Sequence, residues 1–311
     1  MSDKPMPDRP DAPLRETATT FRPVAAGMEP HVNVYFPVLD HGFIAVKDYM
    51  GDDLSILQMA RMSYGKGTKG VSDDRALLRY LMRHLHTSPF EGCVIKLHVK
   101  LPIFVMRQWV RHRTASLNEY SARYSILPDE FYMPAPELLA VQSPDNKQGR
   151  GDVLAPEQAA EVLRILKDDA ERNFATYHKL LNADEDGNTI DDGNDGIARE
   201  LARIGLPLST YTQMYWQTNL HNLMHFLRLR ADPHAQYEIR VYAEKMLAIM
   251  TDWVPVTTEA FRDYQLEAGR VSRMEIALLR DLLAGKATVA DAERYGLTKR
   301  ELREFKDRFG C

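Results

Sequence analysis

The sequence predicts an α+β fold, a mixed sheet with packed helices, followed by a helical C-terminal extension. Three observations carry that prediction. Ile95, Leu97, Val99 and Leu101 alternate with Lys96, His98 and Lys100, the period of a strand with one face buried and one wet. Residues 157–181 place apolar side chains at helical spacing over a stretch far too long for a strand. Strand-like and helix-like segments then interleave without the strand–helix–strand rhythm of a parallel sheet.

The elements follow in order. Residues 1–31 are rich in Pro, Asp and Arg and read as a mobile N-terminal arm. From Val32, the runs VNVYFPVLD and GFIAVKDYMG are short, β-branched and aromatic, and read as the strands of a hairpin. Gly51-Asp52-Asp53 precedes a helix over 54–62. A second helix runs from 73 or 74 to 84, its acidic start suiting the positive helix end and Leu77, Leu78, Leu81 and Met82 forming its buried stripe. His86 to Glu91 reads as a turn because of its Ser-Pro pair. Pro102 ends the alternating strand and can open a helix continuing to 113, with a basic triplet at its C-terminal end.

Residues 142–155 read as a polar loop and 184–196 as an acidic, glycine-containing one. Further helices are expected over 197–204, 219–230 and 235–253. Beyond 270 the tail looks separate: helices over 275–284 and 288–294, then the capping box Thr298-Lys299-Arg300-Glu301 opening a last helix closed by Gly310. The division is therefore an arm over 1–31, a core over 32–265 and a helical extension over 266–311.

Composition narrows the function. Of 311 residues, 44% are hydrophobic and 27% charged, as in ordinary globular proteins, and the net charge of -4 makes no global case for nucleic-acid or membrane binding. The two cysteines, Cys93 and Cys311, imply no disulfide framework, and no apolar run approaches a membrane span. No signal-peptide pattern opens the chain, so the cytoplasm is the expected compartment.

The chemistry concentrates in Arg107-Gln108-Trp109-Val110-Arg111-His112-Arg113 and Asn118-Glu119-Tyr120-Ser121-Ala122-Arg123. Successive helical residues turn by about 100°, so Arg111, His112 and Arg113 must serve different partners or sit where the helix ends. Guanidinium groups match phosphate oxygens bidentately, and the second segment adds a carboxylate, hydroxyl, ring and further cation. A phosphate-bearing, ring-containing ligand suits that set. The plain alternative is a solvated basic helix end with local ion pairs.

The spacing tips the balance. Arg111-His112-Arg113, seven residues and then Ser121, within RHRTASLNEYSARYS, resembles the signature of the flavin-dependent thymidylate synthase (ThyX) family. The resemblance continues through GDDLSILQMARMSY, LMRHLHTSPFEGCVIKLHVKLPIFVMRQWV, ARIGLPLSTYTQMYWQTN and LMHFLRLRADPHAQYEIR. It spans about residues 40 to 262, broken over 140–195. It implies a ThyX-like core making dTMP from dUMP, with methylenetetrahydrofolate as carbon donor and NADPH reducing through FAD. It implies FAD contacts at Arg111, His112, Arg113, Ser88, Glu91, Glu119, Asn219, His221, His225 and His234. For dUMP it implies Gln108, Arg111, Glu119, Ser121, Arg123, Arg203 and Arg230, with Tyr124 and His86 lining the cleft. Arg230 would activate the uracil ring, and the assembly would be a homotetramer with sites shared between subunits.

Rival chemistries fit less well. Ser121 as a nucleophile lacks a sequence-adjacent base. Cys93 has no catalytic-looking neighbours, which argues against a cysteine-dependent methylation and for a buried structural thiol. His221, His225 and His234 have the count for zinc, but Asn222 stands where a metalloprotease needs Glu, so no metal is expected. The 184–196 stretch has calcium-loop composition but misplaces the glycine and lacks the terminal Glu. The tail has the rhythm of a helix-turn-helix and, from Arg270 on, 10 Lys and Arg against 7 Asp and Glu, a net of +3. Its interspersed acids weaken the case for nucleic acid, and packing within the assembly is preferred.

Overall fold

The computed structural model describes residues 21–63, 74–144 and 149–310. Its centre is a five-stranded sheet in the order β1 (Tyr35–Val38), β2 (Gly42–Met50), β3 (Val94–Pro102), β7 (Tyr211–Asn219), β4 (Ser116–Glu119). Each of these pairings is antiparallel, and a parallel bridge joins Val32 to Val46. The α+β class therefore holds. Periodicity assigns no element to β7, yet it pairs with β3 along its whole length, from Asn219 opposite Val94 to Tyr211 opposite Pro102.

The alternating strand β3 is not wet on its polar face. His98 stacks on Tyr215 at 4.8 Å, meets Phe43 and Tyr35 edge-on and bonds Gln213 at 2.9 Å, while Lys100 is buried and pairs with Glu130. Aromatic rings and matched polar partners cover a face that the amphipathic pattern assigns to water.

Helices α1 (Asp53–Met62) and α2 (Asp74–Arg83) match their expected spans. The expected turn at 86–91 contains a short helix, α3 (Ser88–Glu91), with Pro89 in its first turn. The expected polar loop over 142–155 carries instead a hairpin of β5 (Ala140–Gln142) and β6 (Arg150–Val153). The long helix α5 spans Pro156–Leu181 and ends on Asn182 in the left-handed region. The acidic loop beyond it folds on itself: the Asp184 carboxylate accepts from Asp186 N and Asn188 N. Helix α6 (Arg199–Ala202) is shorter than expected and continues as a 3-10 turn, Arg203–Gly205.

The core lies between the sheet and α4 (Ile103–Trp109), α7 (Leu220–Arg230) and α8 (Tyr237–Trp253). Trp109 is fully buried, 4.6 Å from the Phe226 ring, 5.6 Å from Trp216 and 6.0 Å from Tyr242. Tyr242 Oη donates to the Lys100 carbonyl at 2.7 Å, fixing α8 on the sheet. A further helix, α9 (Pro255–Phe261), lies beyond the expected end of the core helices. Its N-terminal turn is capped by the Asp53 carboxylate, which accepts from Val256 N and Thr257 N at 3.0 Å each.

Within the segment read as a mobile arm, Ala25 and Met28 are buried and Glu29–His31 forms a 3-10 turn. Tyr49 Oη accepts from Ala25 N at 2.9 Å. From Ala25 onward the chain belongs to the packed body, because its small and apolar residues find sites there. The part of the arm over 1–20 lies outside the described residues.

The chain divides into two compact units at Phe261 and Arg262. The second, taken by itself, has α10 (Arg273–Leu283), a 3-10 segment Val289–Tyr295 and α11 (Lys299–Phe309), each opened by a capping box. Leu278, Ala292, Leu297 and Phe305 form its own core. No helix among the described residues is long and apolar enough to cross a membrane.

Candidate functional site

The basic triplet sits beyond a helix rather than on one. Pro102 precedes α4 with extended backbone, as proline favours, and the helix stops at Trp109. Arg111 N then bonds the Gln108 carbonyl at 3.4 Å and His112 N the Trp109 carbonyl at 2.9 Å. This tight turn frees the three side chains from helical spacing. Arg111 and Arg113 are exposed, while His112 is half-buried over the Phe226 ring at 4.8 Å. Thr218 Oγ1 donates to the Thr114 carbonyl at 3.2 Å and ties the following loop to β7.

His112 meets the second expected segment directly. Arg230, in the last turn of α7, donates from Nε to His112 Nε2 at 3.1 Å and approaches the Gln108 carbonyl through Nη2 at 3.5 Å. Because Nε2 accepts, His112 is a neutral imidazole carrying its proton on Nδ1. Burial, then the Arg230 charge, then His225 push its pKa down to about 4. Burial also lowers that of Arg230, though a guanidinium keeps its charge at neutral pH.

This depressed histidine carries a pH dependence of stability. The unfolded chain holds a His112 proton below its ordinary value of 6.5, whereas the folded chain takes one up only near 4. The contribution is therefore whole above pH 6.5 and lost as the pH falls from there toward 4. The melting temperature of the flavin-free protein is expected to drop across that interval, and His112→Gln to flatten the slope. An identical slope in the variant contradicts the assignment.

Helix α7 gathers the other expected cofactor residues. Asn219 is its N-cap, its side chain accepting from Asn222 N at 2.9 Å. The Leu220 N–H bonds the Cys93 carbonyl at 2.8 Å, so α7 starts beside the segment following α3. Elements α3 and α7 are in contact, which puts Ser88 and Glu91 on an element packed against the one bearing Asn219, His221 and His225. The His225 ring lies 5.8 Å from that of His112. His86 packs edge-on against Tyr80 at 5.7 Å, just before α3.

A cleft of 600 Å³ is lined by Gln108, Arg228, Leu229, Arg230, Asp232, His234, Ala235 and Gln236. A different one, of 480 Å³, is lined partly by Arg123, Tyr124 and Arg199. Arg123 lies over the Tyr124 ring at 5.3 Å, and Arg199 donates to the Tyr124 carbonyl at 3.1 Å. Glu119, at the end of β4, accepts from Thr212 Oγ1 at 2.9 Å. Ser121 Oγ accepts from Arg123 N at 3.3 Å and serves the turn. Arg203 is exposed, bonding the Glu200 carbonyl at 3.4 Å. Gln108, Arg230 and His234 thus come together in one cleft, and Arg123 and Tyr124 in another that shares no lining residue with it.

Sequence reasoning missed Gln236, Glu238, Arg150 and Arg199. Gln236 and Glu238 stand in the string HAQYEIR, where a carboxylate soon after the Pro233-His234 pair was the available signal. The histidines weighed as zinc ligands do not converge: His234 bonds Asp232 at 3.0 Å, while His225 faces Arg228 and His112. Cys93 is buried, and its thiol is pushed up to about 12 by burial and by Asp52 and Asp53, which leaves no thiolate to attack a ring. Cys311 lies outside the described residues.

The antiparallel α+β core thus presents guanidinium, imidazole and amide groups around open clefts, donors of the kind that suit an anionic ligand. Residues 45–256 match the family model described as Thymidylate synthase complementing protein. A flavin-dependent thymidylate synthase of Ruegeria pomeroyi is 56% identical over 96% of both chains, and one of Rickettsia bellii is 57% identical over 92% of this chain and 97% of its own. In structure, the chain resembles the UMP/dUMP methylase PolB of Streptomyces cacaoi bound with 5-Br UMP, with a TM-score of 0.63 and 36% identity over 73% of this chain and 96% of that one. The chain belongs to the flavin-dependent thymidylate synthase family, and so to the methyltransferases.

Proposed function

We propose that this chain converts dUMP to dTMP, with methylenetetrahydrofolate as the carbon donor and NADPH as the reductant through FAD. The observation that carries the reading is the Arg230–His112 pair beside Gln108, where the two signature segments meet. A guanidinium held there by a neutral acceptor, rather than by a carboxylate, keeps its full charge for the ligand. Donation from Arg230 to the pyrimidine oxygens would stabilise the negative charge that develops as uracil C5 becomes nucleophilic. Arg230 acts as an electrostatic donor, because it does not release its proton at neutral pH.

The donor set also fits FAD. Exposed Arg111 and Arg113 suit its phosphates, with His112, Ser88, Glu91, Glu119, Asn219, His221, His225 and His234 as the remaining holding groups. Bound FAD supplies the hydride that a cysteine-independent methylation requires. Gln108, Arg111, Glu119, Ser121, Arg123, Arg203 and Arg230 would hold dUMP, with Tyr124 and His86 lining its cleft. Ser121 contributes a hydrogen bond rather than a nucleophile, in keeping with its place in the turn. Separation of these residues into distinct clefts of one chain supports a homotetramer whose sites draw on several subunits. The proposed compartment is the cytoplasm, and neither nucleic acid nor a membrane is proposed as a partner.

The test is spectroscopic. Purified protein is expected to be yellow, and anaerobic NADPH should bleach its flavin band faster when dUMP is present. A colourless preparation that neither takes up FAD nor turns over dUMP contradicts the proposal.

A further inference from the structure

A buried carboxylate that the proposed chemistry does not use lies behind the Gln108–Arg230 cleft. Glu238, in the first turn of α8, is 2% exposed. Arg150 of the β5–β6 hairpin donates through Nη2 to both its oxygens, at 2.5 and 2.7 Å, and Tyr132 Oη donates to Oε1 at 3.2 Å. Gln236 Nε2 donates to Oε2 at 2.9 Å. The other end of the same amide, Gln236 Oε1, accepts from Gln108 Nε2 at 2.5 Å.

The direction of this chain follows from its end group. A carboxylate paired with a guanidinium only accepts, so Gln236 must turn its NH₂ toward Glu238 and its oxygen away. That oxygen in turn requires the NH₂ of Gln108. Both amide orientations are thereby set by one anion, although a glutamine in isolation has no preferred sense. The oxygen of Gln108, an acceptor, is thereby turned away from Gln236 and, with the second N–H of the same amide, is left for a ligand in the cleft. Reversing either amide would bring two oxygens or two NH₂ groups face to face.

We infer that Glu238 is a positioning residue for the nucleotide site, fixing through Gln236 the amide of Gln108 so that it offers an oxygen to a donor group of dUMP. The inference rests on the reading that Gln108 contacts dUMP. It also accounts for the β5–β6 hairpin, whose Arg150 neutralises a buried anion that would otherwise be costly to hold.

The experiment is a double-mutant cycle on the flavin-loaded full chain, with dUMP affinity measured by calorimetry and folding followed by melting. Glu238→Gln removes the one-way acceptor and Gln236→Leu breaks the relay without stranding a charge. Each is expected to weaken dUMP by about tenfold, the scale of one well-placed hydrogen bond. Gln108→Ala should weaken it similarly, and the double variant E238Q/Q108A should bind within about twofold of Q108A alone, because both changes remove the same contact. Should E238Q fail to fold, Q236L with and without Q108A supplies the same cycle. Wild-type-like dUMP affinity in E238Q or Q236L, or fully additive losses in the double variant, overturns the inference while leaving the substrate intact. A wild-type protein that takes up flavin but binds no dUMP overturns the substrate reading, and this inference with it.

Discussion

Arg230→Ala is expected to lower dTMP formation by about 10²–10³-fold while flavin stays bound, the loss typical of removing one preorganised donor to a developing negative charge. Arg230 reaches the site from the last turn of α7, and its Nε bond to His112 holds the fork in one orientation. Flavin retention follows because the proposed holding groups lie on Arg111, Arg113, α3 and the start of α7, not on Arg230 alone. Arg230→Lys is expected to recover little, since an ammonium lacks the planar fork that both engages His112 and faces a pyrimidine. A second consequence is local: with the neighbouring charge gone, His112 should titrate above its present value of about 4. Steady-state turnover with flavin content, and imidazole titration by NMR, check the two parts separately. Turnover close to wild type in the alanine variant rules out the activation role.

The largest effect on stability is expected from Trp109→Ala, about 3–5 kcal/mol. Trp109 closes α4 two positions before the start of the basic triplet and is packed among Trp216, Phe226 and Tyr242, which belong to β7, α7 and α8. Its removal leaves a cavity where three elements meet, and those elements are fixed by hydrogen bonds that do not let them collapse inward, such as Tyr242 to Lys100. The turn bearing His112 rests on Phe226, one of the rings bordering that cavity, so affinity for flavin should fall together with stability. Denaturant titration measures the first and flavin release on dilution the second. A variant unfolding at wild-type denaturant concentration refutes this account of the core.

Much of this was legible in the residues. Helices α1, α2, α5, α7 and α8 announce themselves by spacing, and the last helix by the Thr298–Glu301 capping box, short-range side-chain chemistry that needs no tertiary partner. What escaped depends on distant partners. β7 alternates, with Met214, Trp216 and Thr218 buried, but Tyr215 on the other parity blurs the pattern, and its ring belongs there because His98 stacks on it. α9 carries Val256, Thr257 and Thr258, poor helix formers, just after its opening Pro255, and is capped by Asp53, about two hundred positions earlier in sequence. The same holds for the site. The signature arginines are conspicuous by type and spacing and Arg230 stands out through the family resemblance, whereas Glu238 matters through Arg150 and Gln236, which no local pattern connects.

The central claim is the reaction itself, and one measurement meets it directly. Protein stripped of its bound flavin, then supplied with FAD, NADPH, methylenetetrahydrofolate and dUMP, is assayed for dTMP by chromatography, with each component withheld in turn. The account predicts dTMP only when all four are present. Flavin-loaded, folded protein that forms no dTMP from the complete mixture, or that forms it equally well without flavin, contradicts it.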